Sequence, residues 1–316
     1  MSSARPEPAS AVATPPVPPL RPHRIEILGA AAALGAPHPG SAATPDRLLA
    51  GGLLARCARL GLTADWAGTL RPTAPPPAEA AMAIRLAACA GFGRELADHL
   101  AGLAPGVVPL VLGGDHAIAV GTWRGLGRRA GCAPGLIWID AHLDSHTPAS
   151  THSGNLHGMP LAALLGQGDA GLCAIPGPAL DPSRCCVLGA RAWEDEERVL
   201  LDRLQVRIFT MDEIRARGLP AVFAESLRIA RGDAAAPQAF GLSLDLDALD
   251  PLQLPAVTCP EAGGLEAAGL LAALRLLRGC DTLLGLEIVE YRPDLDPSAQ
   301  GARLIAALAA AALGGR

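Results

Sequence analysis

Aspartate and histidine, both common ligands for divalent metal ions, are concentrated in short stretches of this 316-residue chain. Five of the eight histidines lie between His116 and His157, interleaved with aspartates. Within that stretch Asp140, His142 and Asp144 alternate with single residues. Residues two apart in an extended segment project to the same side, so this spacing predicts that the two carboxylates and the imidazole face a common point.

A second pair of carboxylates, Asp245 and Asp247, has the same spacing, and His116 precedes both groups in the chain. Four carboxylates brought together without cations would repel one another and raise one another's pKa, which predicts bound metal. Six ligands exceed the three or four that one catalytic Zn²⁺ takes, and four hard oxygen donors with two imidazoles suit Mn²⁺ or a similar ion better. Two ions about 3.5–4 Å apart that share bridging carboxylates would use all six side chains.

The elements that must position these residues are predicted from the apolar pattern. From residue 24 onwards, short runs rich in Val, Ile and Leu alternate with longer segments of helical period, which indicates a parallel sheet covered on both faces. The strands are predicted at residues 25–28, 107–112, 136–139, 186–188, 206–209, 240–244 and 282–288. The helices are predicted at residues 78–103, 118–130, 211–217, 221–231, 266–278 and 298–313. No break in composition divides this region, so we predict a single α/β domain over residues 24–316.

Four of the predicted strands lead directly into the polar residues. The polar segments that follow strands are 113–116, 140–144, 245–247 and Glu290. Ligands of parallel α/β sheets bind outside the carboxyl ends of the strands, so these four segments are predicted to line a common crevice.

The overall composition excludes several classes of protein. Half of the residues are hydrophobic, and the 26 basic residues are arginines without a basic run, so no nucleic-acid partner is expected. No apolar stretch reaches the roughly 18–20 residues that a membrane helix needs, and no secretion signal is recognisable, so no membrane partner is expected. Eight cysteines without a Cys-x-x-Cys pair fit a reducing, cytoplasmic location. Residues 1–23 are rich in Pro and Ala and are predicted to form a disordered tail.

Three segments, residues 113–116, 140–144 and 243–251, resemble in sequence and order the metal-binding motifs of the arginase/agmatinase (ureohydrolase) family. The resemblance extends from about residue 25 to the C-terminus. It implies a three-layer α-β-α fold with a parallel sheet, a homo-oligomer (trimer or hexamer) and two Mn²⁺ ions per subunit. One ion would be held by His116, Asp140, Asp144 and Asp245, and the other by His142, Asp140, Asp245 and Asp247, with Asp140 and Asp245 as bridges.

The same resemblance implies catalytic roles for three residues. A hydroxide that bridges the metals would attack the guanidinium carbon, and Asp144 would orient it. Glu290 would hold the guanidinium by charge-assisted hydrogen bonds. His157 would protonate the leaving amine, since an imidazole exchanges protons near neutral pH.

At the other end of the substrate, the sequence resembles arginases more than agmatinases. The resemblance places Ser153 and Asn155 at the substrate α-carboxylate and Glu194 at its α-amino group. His146 stands where arginases carry an asparagine that contacts the carboxylate, and Cys259 lies where they carry Thr-Gly-Thr-Pro. Both departures alter the pocket wall.

Two substrates therefore stay open: L-arginine, cleaved to L-ornithine and urea, and another guanidino compound such as a guanidino acid or agmatine. A non-catalytic regulatory subunit is disfavoured because none of the six metal ligands is missing. A deacetylase of the same general fold is disfavoured because such enzymes use one Zn²⁺ and fewer acids.

Overall fold

A computed structural model of the protein describes residues 24–77 and 79–314, so the predicted tail at residues 1–23 lies outside the described residues. The described strands form one eight-stranded sheet in which every neighbouring pair is parallel. They are β1 (Arg24–Ala30), β2 (Ala64–Leu70), β3 (Val107–Gly113), β4 (Gly135–Ile139), β5 (Cys185–Ala190), β6 (Arg207–Thr210), β7 (Phe240–Asp245) and β8 (Leu283–Val289). The order across the sheet is β2-β1-β3-β8-β7-β4-β5-β6.

Helices cover both faces of this sheet. The described α-helices are α1 (Thr44–Ala50), α2 (Leu53–Arg59), α3 (Met82–Ala101), α4 (Ala119–Ala130), α5 (Pro160–Leu164), α6 (Ala170–Cys173), α7 (Asp195–Arg203), α8 (Met211–Arg217), α9 (Leu219–Arg231), α10 (Ala267–Leu274) and α11 (Gln300–Leu313). Within residues 24–77 and 79–314, no helix combines the length and apolar character needed to cross a bilayer.

Alternating strand residues enter two separate apolar cores, one on each face of the sheet. Ile25 and Ile27 of β1 belong to the core that α9, α10 and α11 cover, whereas Leu28 of β1 belongs to the core that α3 and α4 cover. Phe223 of α9 and Trp123 of α4 are fully buried large side chains in the two cores. The predicted three-layer α-β-α fold with a parallel sheet is confirmed.

All seven predicted strands are present, but the prediction omits β2. This strand lies at the edge of the sheet, and its side chains are half-buried or exposed, so it lacks the continuous apolar run that indicates a buried parallel strand. The five helices missing from the prediction are short: α1, α2, α5, α6 and α7. The helix predicted from residue 78 begins at Met82, and the helix predicted to end at residue 278 ends at Leu274 and continues as a 3₁₀ turn.

The site is positioned by the four central strands, β3, β8, β7 and β4, which are neighbours in the sheet. Each of them leads at its carboxyl end into one of the predicted polar segments. After β3 the chain passes so close to Ala32 that a Cβ atom on Gly114 would lie 1.7 Å from the Ala32 carbonyl oxygen. Only glycine fits there, and this close passage fixes the path of the segment that carries His116.

Candidate metal centre

The first group of predicted metal ligands converges on one nitrogen atom. Nδ1 of His116 lies 3.2 Å from Oδ2 of Asp140, 3.1 Å from Oδ2 of Asp144 and 3.1 Å from Oδ2 of Asp245. All four side chains are buried, and within the described ranges no hydrogen bond of good geometry reaches His116 Nδ1. An orphaned buried nitrogen facing three carboxylate oxygens is the donor set that a shared divalent cation would satisfy.

The second group is arranged around His142. Its Nδ1 lies 3.1 Å from Oδ2 of Asp247 and 3.4 Å from Oδ1 of Asp140. Asp140 therefore faces both imidazoles with different oxygens, as a bridging carboxylate would. Asp245 differs, because its Oδ2 faces His116 whereas its Oδ1 accepts a hydrogen bond from the backbone nitrogen of Asp247 at 2.8 Å.

The backbone brings these side chains together by turns, so the expectation of extended segments is wrong. Strand β4 ends at Ile139, and the following residues form no strand. Asp144 has a φ of +46°, a left-handed conformation that non-glycine residues rarely adopt. Asp245 is the last residue of β7, and Asp247 lies in a 3₁₀ turn. The ligands converge because the chain bends sharply at each strand end.

Side chains from the neighbouring strands fix the orientation of His116. Its ring stacks on Trp138 with 3.9 Å between centroids, and Trp138 Nε1 donates to Asp140 Oδ2 at 2.9 Å. His116 Nε2 lies 2.9 Å from Ser243 Oγ, which donates to Glu287 Oε1 at 2.7 Å. These contacts occupy the far side of the ring and leave Nδ1 to face the carboxylates, as in ordered metal sites. The sequence assigns no role to Trp138 or Glu287.

The electrostatics of the group favour bound cations. Burial, followed by the neighbouring carboxylate of Asp140, raises the pKa of Asp144 to about 7. Burial, followed by Asp247, raises the pKa of Asp245 well above its usual range. Like charges this close and this buried are unfavourable unless positive charge is placed among them. The residues present therefore fit a pair of divalent metal ions.

Glu290 and His157 form a buried pair next to these ligands. Glu290 follows β8, is 1% exposed and has a φ of +65°. Its Oε1 accepts a hydrogen bond from the backbone nitrogen of His116 at 2.8 Å and lies 2.9 Å from Nδ1 of His157. Its Oε2 is buried and forms no well-formed hydrogen bond within the described part of the chain. Burial lowers the pKa of His157, but the Glu290 carboxylate outweighs this and raises it to about 9.

A cavity of about 390 Å³ opens next to the two groups. Its inner wall carries predicted metal ligands, including His142 and Asp247. The remaining wall includes four residues predicted to bind the substrate's amino-acid end: His146, Ser153, Asn155 and Glu194. Glu290 is not among the lining residues and is linked to the cavity by His157. The structure thus places most of the predicted site residues on one pocket, whereas His116, Asp140 and Glu290 lie behind its lining and contact residues that line it.

Comparison with known proteins identifies the family. The model of the Arginase family matches residues 23–314. The chain belongs to the arginase family. It is 34% identical to an arginase of Brevibacillus brevis over 294 residues, which cover 92% of this chain and 97% of that protein. The solved structure of an arginase from Bacillus cereus superposes with a TM-score of 0.84 at 31% identity, covering 93% of this chain and 99% of that one. The native structure of the Bacillus caldovelox arginase gives 0.84 at 32% identity, with coverages of 93% and 99%.

This arginase-family chain is therefore a hydrolase that acts on guanidino groups of a small substrate, and its family is one of binuclear metal enzymes. The resemblance stated from the three motifs is confirmed. The six converging side chains described above form a donor set that could hold metal ions in this member of the arginase family.

The structure adds a pocket residue that the sequence analysis missed. Glu197 is 5% exposed and lines the cavity of this arginase-family protein. Its Oε1 accepts a hydrogen bond from the backbone nitrogen of Ser145 at 3.1 Å, and its Oε2 accepts one from Glu194 at 3.0 Å. It also forms a capping box with Glu194 at the start of α7. The sequence does contain a signal for this residue. Glu194 can accept a hydrogen bond and stands three positions before Glu197, a spacing that is typical of a capped helix start.

We expect the His157–Glu290 pair to stabilise the metal-free protein in a pH-dependent way. The pKa of His157 in the fold, about 9, lies above its ordinary value of 6.5, so this stabilisation is fully present below about pH 6.5 and is lost as the pH rises through about 9. The shift corresponds to about 3 kcal/mol. The pKa of Glu290 is lowered, so this carboxylate stays ionised throughout that window.

Denaturant unfolding after chelation, with wild type and His157→Asn compared at about pH 6 and about pH 10, measures this effect. The difference between the two free energies of unfolding should shrink by about 3 kcal/mol at the higher pH. An equal difference at both pH values would contradict the assignment of a charged pair.

Proposed function

We propose that the protein hydrolyses L-arginine to L-ornithine and urea with two Mn²⁺ ions per subunit. The observation that carries the proposal is a single pocket lined by four of the six proposed metal ligands and also by Ser153 and Asn155. The four ligands are His142, Asp144, Asp245 and Asp247, and His116 and Asp140 lie in contact with them. Relatives named arginase, matched over more than nine-tenths of this chain, support the same substrate.

The metal ions would be held as the family resemblance implies. His116, Asp140, Asp144 and Asp245 would hold one ion, and His142, Asp140, Asp245 and Asp247 the other. When bound, the two ions supply Lewis acidity and make hydroxide available near neutral pH. Mn²⁺ is proposed because four carboxylates with two imidazoles form a donor set dominated by hard oxygen ligands.

The protein's own residues would then bind the guanidinium and move protons. Oε2 of Glu290 is buried and lacks a well-formed hydrogen bond among the described residues, so it can accept N–H groups of the substrate guanidinium. His157 has a pKa of about 9 beside Glu290, so its imidazole carries a proton at neutral pH and can give it to the leaving amine. Asp144 faces the same group of ligands and can accept a hydrogen bond from the attacking hydroxide.

The amino-acid end of the substrate would contact the outer wall of the pocket. Ser153 Oγ accepts a hydrogen bond from the backbone nitrogen of Asn155 at 3.2 Å, which leaves the hydroxyl proton free to donate to a carboxylate. Asn155 lines the same wall and carries an amide N–H₂ donor. Glu194 would accept the α-ammonium group of the substrate.

We expect wild type to release urea from L-arginine with a kcat/KM at least about tenfold above that for agmatine, because agmatine lacks the carboxylate that Ser153 and Asn155 would bind. Asn155→Ala should lower kcat/KM for L-arginine by about 10–100-fold, since hydrogen bonds to charged groups contribute about 1.5–3 kcal/mol. The value for agmatine should not change.

Colorimetric urea release after Mn²⁺ loading, with L-arginine, agmatine and 4-guanidinobutyrate, measures these ratios. The exposed Ser183→Ala is a control that lies outside the pocket-lining residues. Turnover of agmatine without turnover of L-arginine would overturn the proposed substrate.

A second candidate, a guanidino acid without an α-amino group, is favoured by one contact. His146 Nε2 lies directly against the Glu194 carboxylate, so the acceptor assigned to the substrate α-ammonium already has a partner in the protein. In the same substrate panel, a higher kcat/KM for 4-guanidinobutyrate than for L-arginine would select this candidate.

A further inference from the structure

A second cluster of metal-ligand side chains lies at the mouth of the pocket, apart from the six residues of the metal centre. Its core consists of His146, Glu194 and Glu197, and His152 lies beside this core. Ligand atoms of His146, Glu194 and Glu197 all lie within 4.8 Å of one another. The side chains of His152 and Glu194 are 62% and 43% exposed, so the cluster faces the entrance of the pocket.

The geometry points to a third metal site that binds one Zn²⁺ ion at the mouth of the pocket. Two ligand atoms at about 2.0–2.1 Å from a tetrahedral zinc ion lie about 3.4 Å apart. His146 Nε2 lies 3.5 Å from Glu197 Oε2, and His152 Nδ1 lies 3.6 Å from Glu194 Oε2. His146 Nε2 and Glu194 Oε2 lie closer together than two zinc ligands do, so these atoms have to move apart when the ion binds. The half-exposed Glu194 side chain can rotate to allow this.

The two most buried ligands are already held in the required orientation. His146, whose side chain is 9% exposed, has Nδ1 3.1 Å from Ser150 Oγ, so its Nε2 is turned towards the carboxylates. Glu197 is fixed by the backbone nitrogens of Ser145 and Glu194. Hydrogen bonds to the far side of a ligand are the usual means of orienting metal ligands in proteins.

The charge of the cluster also calls for a cation. Three carboxylates, those of Glu194, Glu196 and Glu197, gather around the two imidazoles, and Glu196 lies 3.3 Å from Nε2 of His152. None of the residues found to line the pocket in the described part of the chain is Arg or Lys. Among the described side chains, only imidazoles face these carboxylates in the pocket, and a bound cation would offset the repulsion among the three acids.

The chemistry of the ligands separates this site from the metal centre. Two imidazoles with one or two carboxylates suit Zn²⁺, whereas the centre, with four aspartates, suits Mn²⁺. An ion on His146 and Glu194 would occupy the part of the pocket proposed for the amino-acid end of the substrate. Zn²⁺ at the mouth would therefore compete with the substrate. This inhibitory effect rests on the proposed function, whereas the binding of Zn²⁺ does not.

Calorimetric titration of the Mn²⁺-loaded protein with Zn²⁺, followed by dialysis and elemental analysis, tests the binding. We expect one additional Zn²⁺ per chain with the Mn²⁺ content unchanged. His146→Asn and His152→Ala should each weaken Zn²⁺ binding at least about tenfold, since each removes one of three or four ligands. His99→Ala, on helix α3, is the matched control and should bind Zn²⁺ like wild type.

Two results would overturn the site. The first is a loss of Mn²⁺ that matches the gain of Zn²⁺, which would place zinc in the metal centre. The second is unchanged Zn²⁺ binding in both His146→Asn and His152→Ala. His152 is exposed, so its replacement is expected to leave the fold intact, and a thermal unfolding curve checks this.

Kinetics test the inhibitory effect separately. With the guanidino substrate identified by the panel, Zn²⁺ should raise KM without lowering kcat in wild type, and His152→Ala should lose this sensitivity at least about tenfold. A fall in kcat at constant KM would exclude competition at the mouth. Should L-arginine prove not to be the substrate, the titration still decides whether the site exists.

Discussion

Replacing Asp140 with asparagine is expected to abolish binding of both metal ions and to lower urea release by at least about 10⁴-fold. Asp140 is fully buried and is the carboxylate that faces both imidazoles, those of His116 and His142. Breaking a buried charge pair costs about 3–5 kcal/mol, and here two such pairings are lost, which corresponds to about 10⁴-fold or more. Asparagine preserves the shape of the side chain, so the loss reports on charge and ligand chemistry.

The same variant also has one acceptor oxygen too few. Asp140 Oδ2 accepts a hydrogen bond from Trp138 Nε1 at 2.9 Å, and its Oδ1 accepts one from the backbone nitrogen of His142 at 2.7 Å. An asparagine can satisfy only one of these buried donors, which costs about 1–3 kcal/mol. A lower thermal stability of the metal-free variant is therefore expected as well.

Elemental analysis of dialysed protein and the shift of Tm on adding Mn²⁺ measure the loss. Wild type should retain two ions and gain stability with Mn²⁺, whereas Asp140→Asn should do neither. Of the two imidazoles, Asp247 faces only that of His142, so the Asp247→Asn protein should retain about one ion. Asp98→Asn, whose side chain is 67% exposed on α3, is the control. Retention of two ions by Asp140→Asn would contradict its place between the two groups.

The central strands could be predicted from the sequence because burial on both faces leaves a simple signal. Strands β3, β4, β5 and β7 are buried at every position, so they consist mainly of apolar residues, with Ser243 and the terminal Asp245 as the polar residues of β7. The edge strand β2 alternates and contains Asp65 and Gly68, so no such run marks it. The short helices α5 and α6 have too few residues to show a helical period.

The metal ligands could be predicted from their types, spacing and motifs, but the means of their convergence could not. The left-handed conformation of Asp144 has no signal in its side chain, since glycine usually marks such positions. The spacing of two between Asp245 and Asp247 predicts an extended segment, whereas a 3₁₀ turn joins them. The turns that follow β4 and β7 bring the ligands together. The residue types at these positions did not predict the turns.

The residues behind His116 depend on long-range strand pairing. Ser243 of β7 is paired with Trp138 of β4 on one side and with Glu287 of β8 on the other. The three side chains therefore lie at one level across the sheet, where they stack on or hydrogen-bond towards His116. Strand order determines this arrangement, and the pairing of β7 with β4 cannot be deduced from the sequence because these two strands are not consecutive in the chain.

Glu290→Gln is expected to lower kcat/KM for the guanidino substrate by about 10²–10³-fold while leaving the metal content unchanged. The buried Oε2 of Glu290 has no well-formed hydrogen bond within residues 24–77 and 79–314 and is proposed to accept guanidinium N–H groups. If the glutamine directs its oxygen towards His157, its amide N–H₂ takes the place of Oε2. Two hydrogen-bond donors, this amide and the substrate guanidinium, would then face each other. The loss of one buried charged partner costs about 3–4 kcal/mol, which gives this range.

Metal content distinguishes the loss of activity in Glu290→Gln from that in Asp140→Asn. Glu290 accepts a hydrogen bond from the backbone nitrogen of His116 and does not contact the metal-facing ring, so its replacement should leave the metal ions bound. Glu266→Gln, exposed at the start of α10, is the control for the chemical change. The variant should also lower the elevated pKa of His157, since the Glu290 carboxylate makes the largest of the contributions that raise it to about 9, ahead of Asp115 and Asp144. NMR titration of the His157 ring in metal-free protein should therefore give a value nearer 6.5 in the variant. If the variant shows the pKa shift but keeps the kcat/KM of wild type, Glu290 sets the charge of His157 without binding the guanidinium. If the variant loses Mn²⁺, Glu290 belongs to the metal centre.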